Sequence, residues 1–244
     1  MRVAILDWGI GGMPVALGLQ AASPGTELLY LSDSGFTPYG KLAREPLAER
    51  ASWLLRQTDA DLGILACNAA SSVLSEIQCD YPLVGIIEHG VRMAMESTPG
   101  PIGVLAGDRV TEDGSYSRPL EAAGRRVLTS SGQPLSALVE RGEVSGDSVG
   151  AVVARCVAPL RAASSCLLAC THYPALSALL AAALPGVALL DPTPALVDAV
   201  VKQYVPNHDR GSGGLRAITT GSPQAMARAL WINHARRLEI SRLA

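Results

Sequence analysis

The sequence predicts an α/β fold with a mostly parallel sheet, and three observations carry that prediction. Short β-type runs alternate with helix-length segments along the chain. Several of these runs are apolar throughout instead of alternating, as strands covered on both faces require. Two stretches of the chain also resemble each other, which predicts a duplicated α/β unit.

In chain order, strands are expected at Val3–Leu6, Leu28–Leu31, Gly63–Ala66, Leu83–Ile86 and Ile102–Leu105. Further strands are expected at Arg126–Leu128, Cys166–Ala169, Val187–Leu190 and Arg216–Thr219. Helical stretches between them include Leu47–Gln57, Ser71–Glu76, Ser148–Leu160, Leu176–Leu184, Pro194–Tyr204 and Pro223–Arg236. Ser71 or Ser72 is suited to cap one helix, and Asp191-Pro192-Thr193-Pro194 to open another.

Two boundaries divide this pattern: Glu96 through Pro101, and the polar, Gly-rich Pro206 through Gly214. They predict a second domain over residues 98–206. The first domain then comprises residues 1–97 together with 207–244. The repeat follows the same division. Ile64-Leu65-Ala66-Cys67-Asn68 resembles Leu167-Leu168-Ala169-Cys170-Thr171, and Val3-Ala4-Ile5-Leu6 resembles Ile102-Gly103-Val104-Leu105. The offsets nearly agree, 62 residues from Ile5 to Cys67 and 66 from Val104 to Cys170. Each cysteine is thereby expected at the carboxyl end of a strand, where open α/β sheets bind ligands.

Composition excludes several classes. The 244 residues are 48% hydrophobic and 17% charged, enough apolar content to bury a core. A net charge of −2, with no block of like charge, argues against a nucleic-acid surface or a polybasic membrane patch. The apolar start stops at Asp7, too short for a signal peptide, and Ala175–Leu190 is interrupted by Pro185-Gly186, too short for a membrane span. Five cysteines, an odd number in a chain too large to need staples, predict reduced thiols in the cytoplasm.

Cys67 and Cys170 carry the chemistry. Each follows an apolar run and precedes a helix-forming segment, so the positive end of a helix dipole is expected to lower its pKa. Asn68 follows Cys67, and Thr171-His172 follows Cys170. Asp7 ends the first strand and is placed to assist one thiol, as His172 is placed to assist the other. Glu88-His89-Gly90 is a further polar strand end, read equally well as a helix entry. Cys79, Cys156 and Cys166 read as small buried hydrophobes.

Competing motifs are weaker. Gly9-Ile10-Gly11-Gly12 suggests a nucleotide turn, but the third glycine of that fingerprint falls on Pro14, and a turn lining the site fits better. Gly146-Asp147-Ser148-Val149-Gly150 matches a hydrolase elbow with no strand before it, so Asp147 or Ser148 reads as a helix cap. Cys67, Cys170, His172 and Asp7 are residue types that bind zinc, but Cys170-Thr171-His172 lacks the usual ligand spacing. Lys41 and Lys202, the two lysines, sit in no evident pyridoxal phosphate motif. No cofactor and no metal is expected. Two thiols facing each other across a cleft can remove a proton from one face of a carbon and deliver one to the other, inverting a stereocentre.

These residues resemble the glutamate racemases of the aspartate/glutamate racemase superfamily. The likeness runs through Leu6-Asp7-Trp8-Gly9-Ile10-Gly11-Gly12, Asp33 with Pro38-Tyr39-Gly40, and Ala66-Cys67-Asn68-Ala69-Ala70-Ser71. It continues through Val84-Gly85-Ile86-Ile87-Glu88, Ile102-Gly103-Val104-Leu105 and Ala169-Cys170-Thr171-His172-Tyr173-Pro174, with a weaker match at Thr219 through Pro223. The resemblance implies two pseudo-symmetric domains, each a mostly parallel sheet flanked by helices, with the active site in the cleft between them. It implies Cys67 acting on the D-enantiomer and Cys170 on the L-enantiomer, with Asp7 and His172 assisting. Asn68, Thr171 and the Pro38-Tyr39-Gly40 turn would bind a small amino-acid or carboxylic-acid substrate. A homodimer supplying D-glutamate for peptidoglycan, with no nucleic-acid or membrane partner, is the family's usual setting.

Three departures bear on substrate. The family usually has Ser where this chain has Trp8, Thr where it has Ala69, and Thr near Gly107. Each lost donor to a bound carboxylate costs on the order of 1.5–3 kcal/mol. The expectation is a racemase or epimerase with altered specificity, L/D-glutamate being the default. A decarboxylase or isomerase of the same superfamily, or a binding protein derived from a racemase, are the other classes. Both thiols together with Asp7 and His172 favour racemisation.

Overall fold

The computed structural model describes residues 1–205 and 213–243. Its first part runs β1 (Arg2–Asp7), α1 (Met13–Ala22), β2 (Glu27–Ser32), α2 (Arg44–Leu55), β3 (Leu62–Leu65), α3 (Asn68–Ser71), β4 (Leu83–Gly85) and α4 (Ile87–Glu96). There follow β5 (Ile102–Ala106), α5 (Asp108–Asp113), α6 (Ser117–Ala122), β6 (Val127–Ser131), α7 (Gln133–Glu140) and α8 (Asp147–Val157). Next come β7 (Ser165–Ala169), α9 (Ser177–Ala183), β8 (Ala188–Leu190) and α10 (Thr193–Tyr204), then β9 (Leu215–Thr219), α11 (Pro223–His234) and β10 (Ile240–Arg242). The boundary expected at Pro206 through Gly214 lies, over residues 206–212, outside the described residues.

The strands form two wholly parallel sheets, ordered β10-β9-β2-β1-β3-β4 and β6-β5-β7-β8. The order β2-β1-β3-β4 recurs in the second sheet as β6-β5-β7-β8, so the sequence repeat is also a topological one. β9 and β10 extend the first sheet beyond β2. The central strands are buried on both faces because their side chains alternate between two apolar layers. Val3 and Ile5 of β1 enter one layer, and Ala4 and Leu6 enter the other. No helix among the described residues is long and apolar enough to cross a membrane.

Local chemistry sets several element ends. Asp191 Oδ1 accepts the Thr193 backbone N–H at 2.9 Å as α10 begins, with Pro194 in its first turn. Ser222 caps α11 by accepting the Ala225 N–H. Two expected caps are not formed. Ser71 lies inside α3, and its hydroxyl instead donates to the Leu65 carbonyl and accepts the Ile86 N–H, tying β3 to β4. Asp147 is the first residue of α8, and the residue before it, Gly146, takes a left-handed φ of 95°. β10 was not marked by pattern. It is a three-residue edge strand with an exposed arginine and pairs with β9 alone, so it lacks the apolar run that marks its neighbours.

One buried network fixes the loop after β2. Asp33 is fully buried and receives both Arg50 Nη2 at 2.7 Å and Arg50 Nε at 2.9 Å. Tyr39 Oη donates to the same carboxylate at 2.9 Å, and Thr220 Oγ1 does so at 2.8 Å. Asp33 therefore ties the Pro38-Tyr39-Gly40 turn to α2 and to the end of β9. Replacing Arg50 with Ala leaves a buried carboxylate short of its counter-charge. The Arg50→Ala variant should lose on the order of 3 kcal/mol of stability, read as a lower midpoint of urea unfolding. A midpoint within experimental error of the parent would show that the pair contributes nothing.

Candidate functional site

The carboxyl ends of the central strands of both sheets converge on one pocket. Asp7 ends β1, Cys67 follows β3, Gly107 follows β5, and Cys170 follows β7. The parallel topology brings this about, since it places every strand end of a sheet on one edge. Trp8, Asn68, Ala69, Thr171 and His172 line the pocket beside them, as do Pro38, Tyr39 and Gly40 from the turn that Asp33 anchors. The space is narrow, with ≈ 40 Å³ open to the centre of a water molecule. Glu88-His89-Gly90 lies in the first turn of α4 and does not line it.

Close backbone approach makes the convergence possible. A Cβ on Gly11 would fall 2.5 Å from Thr171 Oγ1 and 2.9 Å from the His172 backbone nitrogen. A Cβ on Gly9 would fall 1.8 Å from Glu140 Oε1. The glycine-rich turn thus serves to admit residues from the other half of the chain, not to cradle a nucleotide.

Glu140, at the end of α7, is the residue that sequence reasoning missed. Its Oε1 accepts the Ile10 backbone N–H at 2.7 Å and faces His172 Nε2 at 2.6 Å. His172 Nδ1 lies 3.6 Å from Cys170 Sγ. Glu140 takes Nε2, so Nδ1 is the ring atom turned to the thiol, accepting a proton from it when the ring is neutral and donating one when the ring is charged. The order Cys170, His172, Glu140 is therefore that of a thiol, an imidazole beside it and a carboxylate that orients the ring. The repeat holds a faint signal for it. Ala106 occupies in β5 the place Asp7 has in β1, so the second half must draw its acid from elsewhere.

The buried titratable groups of the pocket shift one another. Burial alone pushes the His172 imidazolium down, but its hydrogen bonds to Cys170 and Glu140, and their charges, carry its pKa well above the ordinary histidine range. Burial raises the Asp7 carboxyl, while His172 and the Thr171 hydroxyl draw it back in part. Cys67 overturns the expectation of a lowered thiol. Burial pushes it well above its usual value, the Asp7 charge adds to the rise, and the N–H groups of Ala70 and Ala69 compensate only partly. The dipole of a four-residue helix is too short to offset complete desolvation.

Three buried polar atoms of residues lining the pocket have no hydrogen-bond partner among the described residues, Asp7 Oδ2, Asn68 Nδ2 and Tyr173 Oη. Asn68 Oδ1 is held by the Tyr116 hydroxyl at 2.6 Å, which leaves the amide N–H groups as its free function. Orphaned buried groups cost about 1–3 kcal/mol each, so they mark where a ligand would bind. Trp8 keeps its ring 6.3 Å from that of His172, and its single donor, Nε1, goes to the Phe36 carbonyl at 3.0 Å. Among the described residues, no group of three or more His, Cys, Asp or Glu is arranged to hold a metal ion.

Removing the Glu140 charge takes away two of the contributions that raise His172. In Glu140→Gln the imidazolium should lose its proton at lower pH than in the parent, measured by NMR titration of the ring. An unshifted or higher midpoint would contradict this account of the dyad.

Comparison with known proteins places these features in context. Residues 24–200 match the family described as Asp/Glu/Hydantoin racemase. The glutamate racemase of Aquifex aeolicus is 31% identical over 238 residues, covering 94% of this chain and 92% of that protein. The crystal structure of a glutamate racemase isoform from Bacillus anthracis superposes with a TM-score of 0.89 at 22% identity, covering 100% of this chain and 97% of that one, a likeness of fold. The glutamate racemase of Thermus thermophilus, solved in complex with β-chloro-D-alanine, gives a TM-score of 0.85 at 26% identity, covering 100% of this chain and 96% of that one.

Proposed function

Because the chain belongs to the Asp/Glu/Hydantoin racemase family, we propose that it inverts the stereocentre of an amino acid or related carboxylic acid, with Cys67 and Cys170 as paired acid and base. The observation that carries this reading is the placement of both thiols in one pocket, each at the end of an equivalent strand. One enters the reaction as thiolate and the other as thiol. The thiolate takes the α-proton, and the C–H electron pair stays on the carbon as it becomes planar. The opposite thiol then delivers its proton to the other face, and the two cysteines have exchanged protonation states. No redox partner is needed.

The companions divide the work. His172, oriented by Glu140, exchanges a proton with Cys170, and Asp7 does the same for Cys67. The free Asn68 amide suits the substrate carboxylate. Following the resemblance, Cys67 serves the D-enantiomer and Cys170 the L-enantiomer. Glutamate is the default substrate, in keeping with the names of the relatives. The recognition shell argues for altered preference, because Trp8 spends its one donor on Phe36 and Ala69 and Gly107 offer no hydroxyl.

Single Cys67→Ala and Cys170→Ala variants should lose racemisation by at least about 10²–10⁴-fold while keeping the parent's circular dichroism. Unchanged turnover in either would sink the two-base assignment. The double variant Trp8→Ser/Ala69→Thr, assayed on glutamate and on a panel of apolar and aromatic amino acids, should gain glutamate turnover relative to the others. Efficient glutamate racemisation by the parent, with no gain in the double variant, would remove the case for altered specificity.

A further inference from the structure

Gln133 was absent from every sequence argument, yet it spans the cleft. It is the first residue of α7 and lines the pocket. Its Oε1 accepts the Asp108 backbone N–H at 3.1 Å. Asp108 offers only a donor at that point, so the orientation of the amide is fixed: oxygen toward Asp108, NH₂ away from it. Among the described residues the NH₂ group has no acceptor, and the side chain is left with a donor function alone.

Two glycines make room for it. A Cβ at Gly40 would lie 2.5 Å from Gln133 Oε1, and one at Gly107 would lie 2.9 Å from the same atom. The resemblance puts a family hydroxyl near Gly107, and the amide of Gln133 sits beside that glycine. Gln133 also borders a second recess of ≈ 380 Å³, shared with Trp8 and Pro38 and bearing Lys41, against the ≈ 40 Å³ of the inner pocket. The amide therefore stands where a substrate side chain would leave the catalytic groups for the outer space. No Lys or Arg lines the inner pocket, so a neutral donor is what it offers there.

We propose that Gln133 is a specificity-determining residue, whose side-chain N–H donates to an oxygen acceptor, carboxylate or carboxamide, at the end of the substrate's side chain. The proposal rests on the racemase reading above and adds to it the group that recognises the side chain. It also explains how a site lacking three hydroxyls retains polar recognition: the donor is supplied from across the cleft, through the gap that Gly40 and Gly107 leave open.

The test is α-proton exchange in heavy water, followed by NMR, on glutamate, glutamine and norvaline; norvaline has the same carbon chain without the oxygen. In Gln133→Leu, kcat/KM for the preferred oxygen-bearing substrate should fall about tenfold or more relative to norvaline, chiefly through KM. Gly107→Ala, which crowds the amide without altering Gln133, should move the same ratio in the same direction. Gln133→Glu should suppress glutamate relative to glutamine, because a carboxylate repels the first and accepts an N–H from the second. Thermal melting of each variant separates these effects from misfolding. An unchanged ratio in Gln133→Leu, or a loss confined to kcat, overturns the proposal. Absence of exchange on all of the common amino acids by the parent protein overturns the racemase reading itself.

Discussion

The contact of Gly11 with Thr171 and His172 leaves no space for a methyl group, and the arrangement of the site depends on it. Two loops that follow strands of different sheets meet there with backbone against backbone. Glu140 reinforces the meeting, since one carboxylate oxygen receives both the Ile10 N–H of the first loop and the His172 ring of the second. That oxygen is at once a structural tie and the group that orients the His172 ring beside Cys170. Geometry at the reacting centre is thereby coupled to the packing of the halves, and small displacements at the turn reach Cys170 through two short hydrogen bonds.

The two thiols, at equivalent strand ends, lie in unequal surroundings. Cys170 is half-buried beside an imidazole held from behind by a carboxylate, while Cys67 is buried within electrostatic reach of the Asp7 carboxylate. The sheets repeat their topology, but the acid groups do not repeat their positions. Asp7 is built into its strand, whereas Glu140 is brought in on a helix. A reaction that interconverts mirror-image molecules needs one proton-transfer group on each face. It does not need the same assistance on each, because each cysteine has its own neighbours.

Recognition is assembled differently from catalysis. The thiols, Asp7 and His172 sit on strand ends and on the loops directly after them, where backbone hydrogen bonds fix their positions. The surrounding wall is made of side chains from separate elements: the Trp8 indole, the turn secured by Asp33 and Arg50, and the Gln133 amide held by Asp108. Such a wall can change without disturbing the proton-transfer pair.

Apolar runs such as Val3–Leu6 and Leu167–Ala169 determined the parallel strands by themselves, because a strand buried on both faces must be apolar at every position. The repeat placed Cys67 and Cys170 at strand ends for the same local reason, and the polar residues beside them were visible as neighbours in the chain. Tertiary structure alone decided the rest. Glu140 lies 130 residues from Ile10 and 32 from His172, and nothing in its own segment distinguishes it from a solvated helix-end carboxylate. Gln133 is likewise an ordinary first residue of a helix until Gly40 and Asp108 are packed around it. The rise at Cys67 ran against the expectation from the helix start because desolvation depends on everything that covers the thiol, whereas the dipole depends on one short helix. Strand periodicity and local caps are short-range properties written in consecutive residues. Partnerships across a cleft, and the water excluded from it, exist only after two sheets have been brought together.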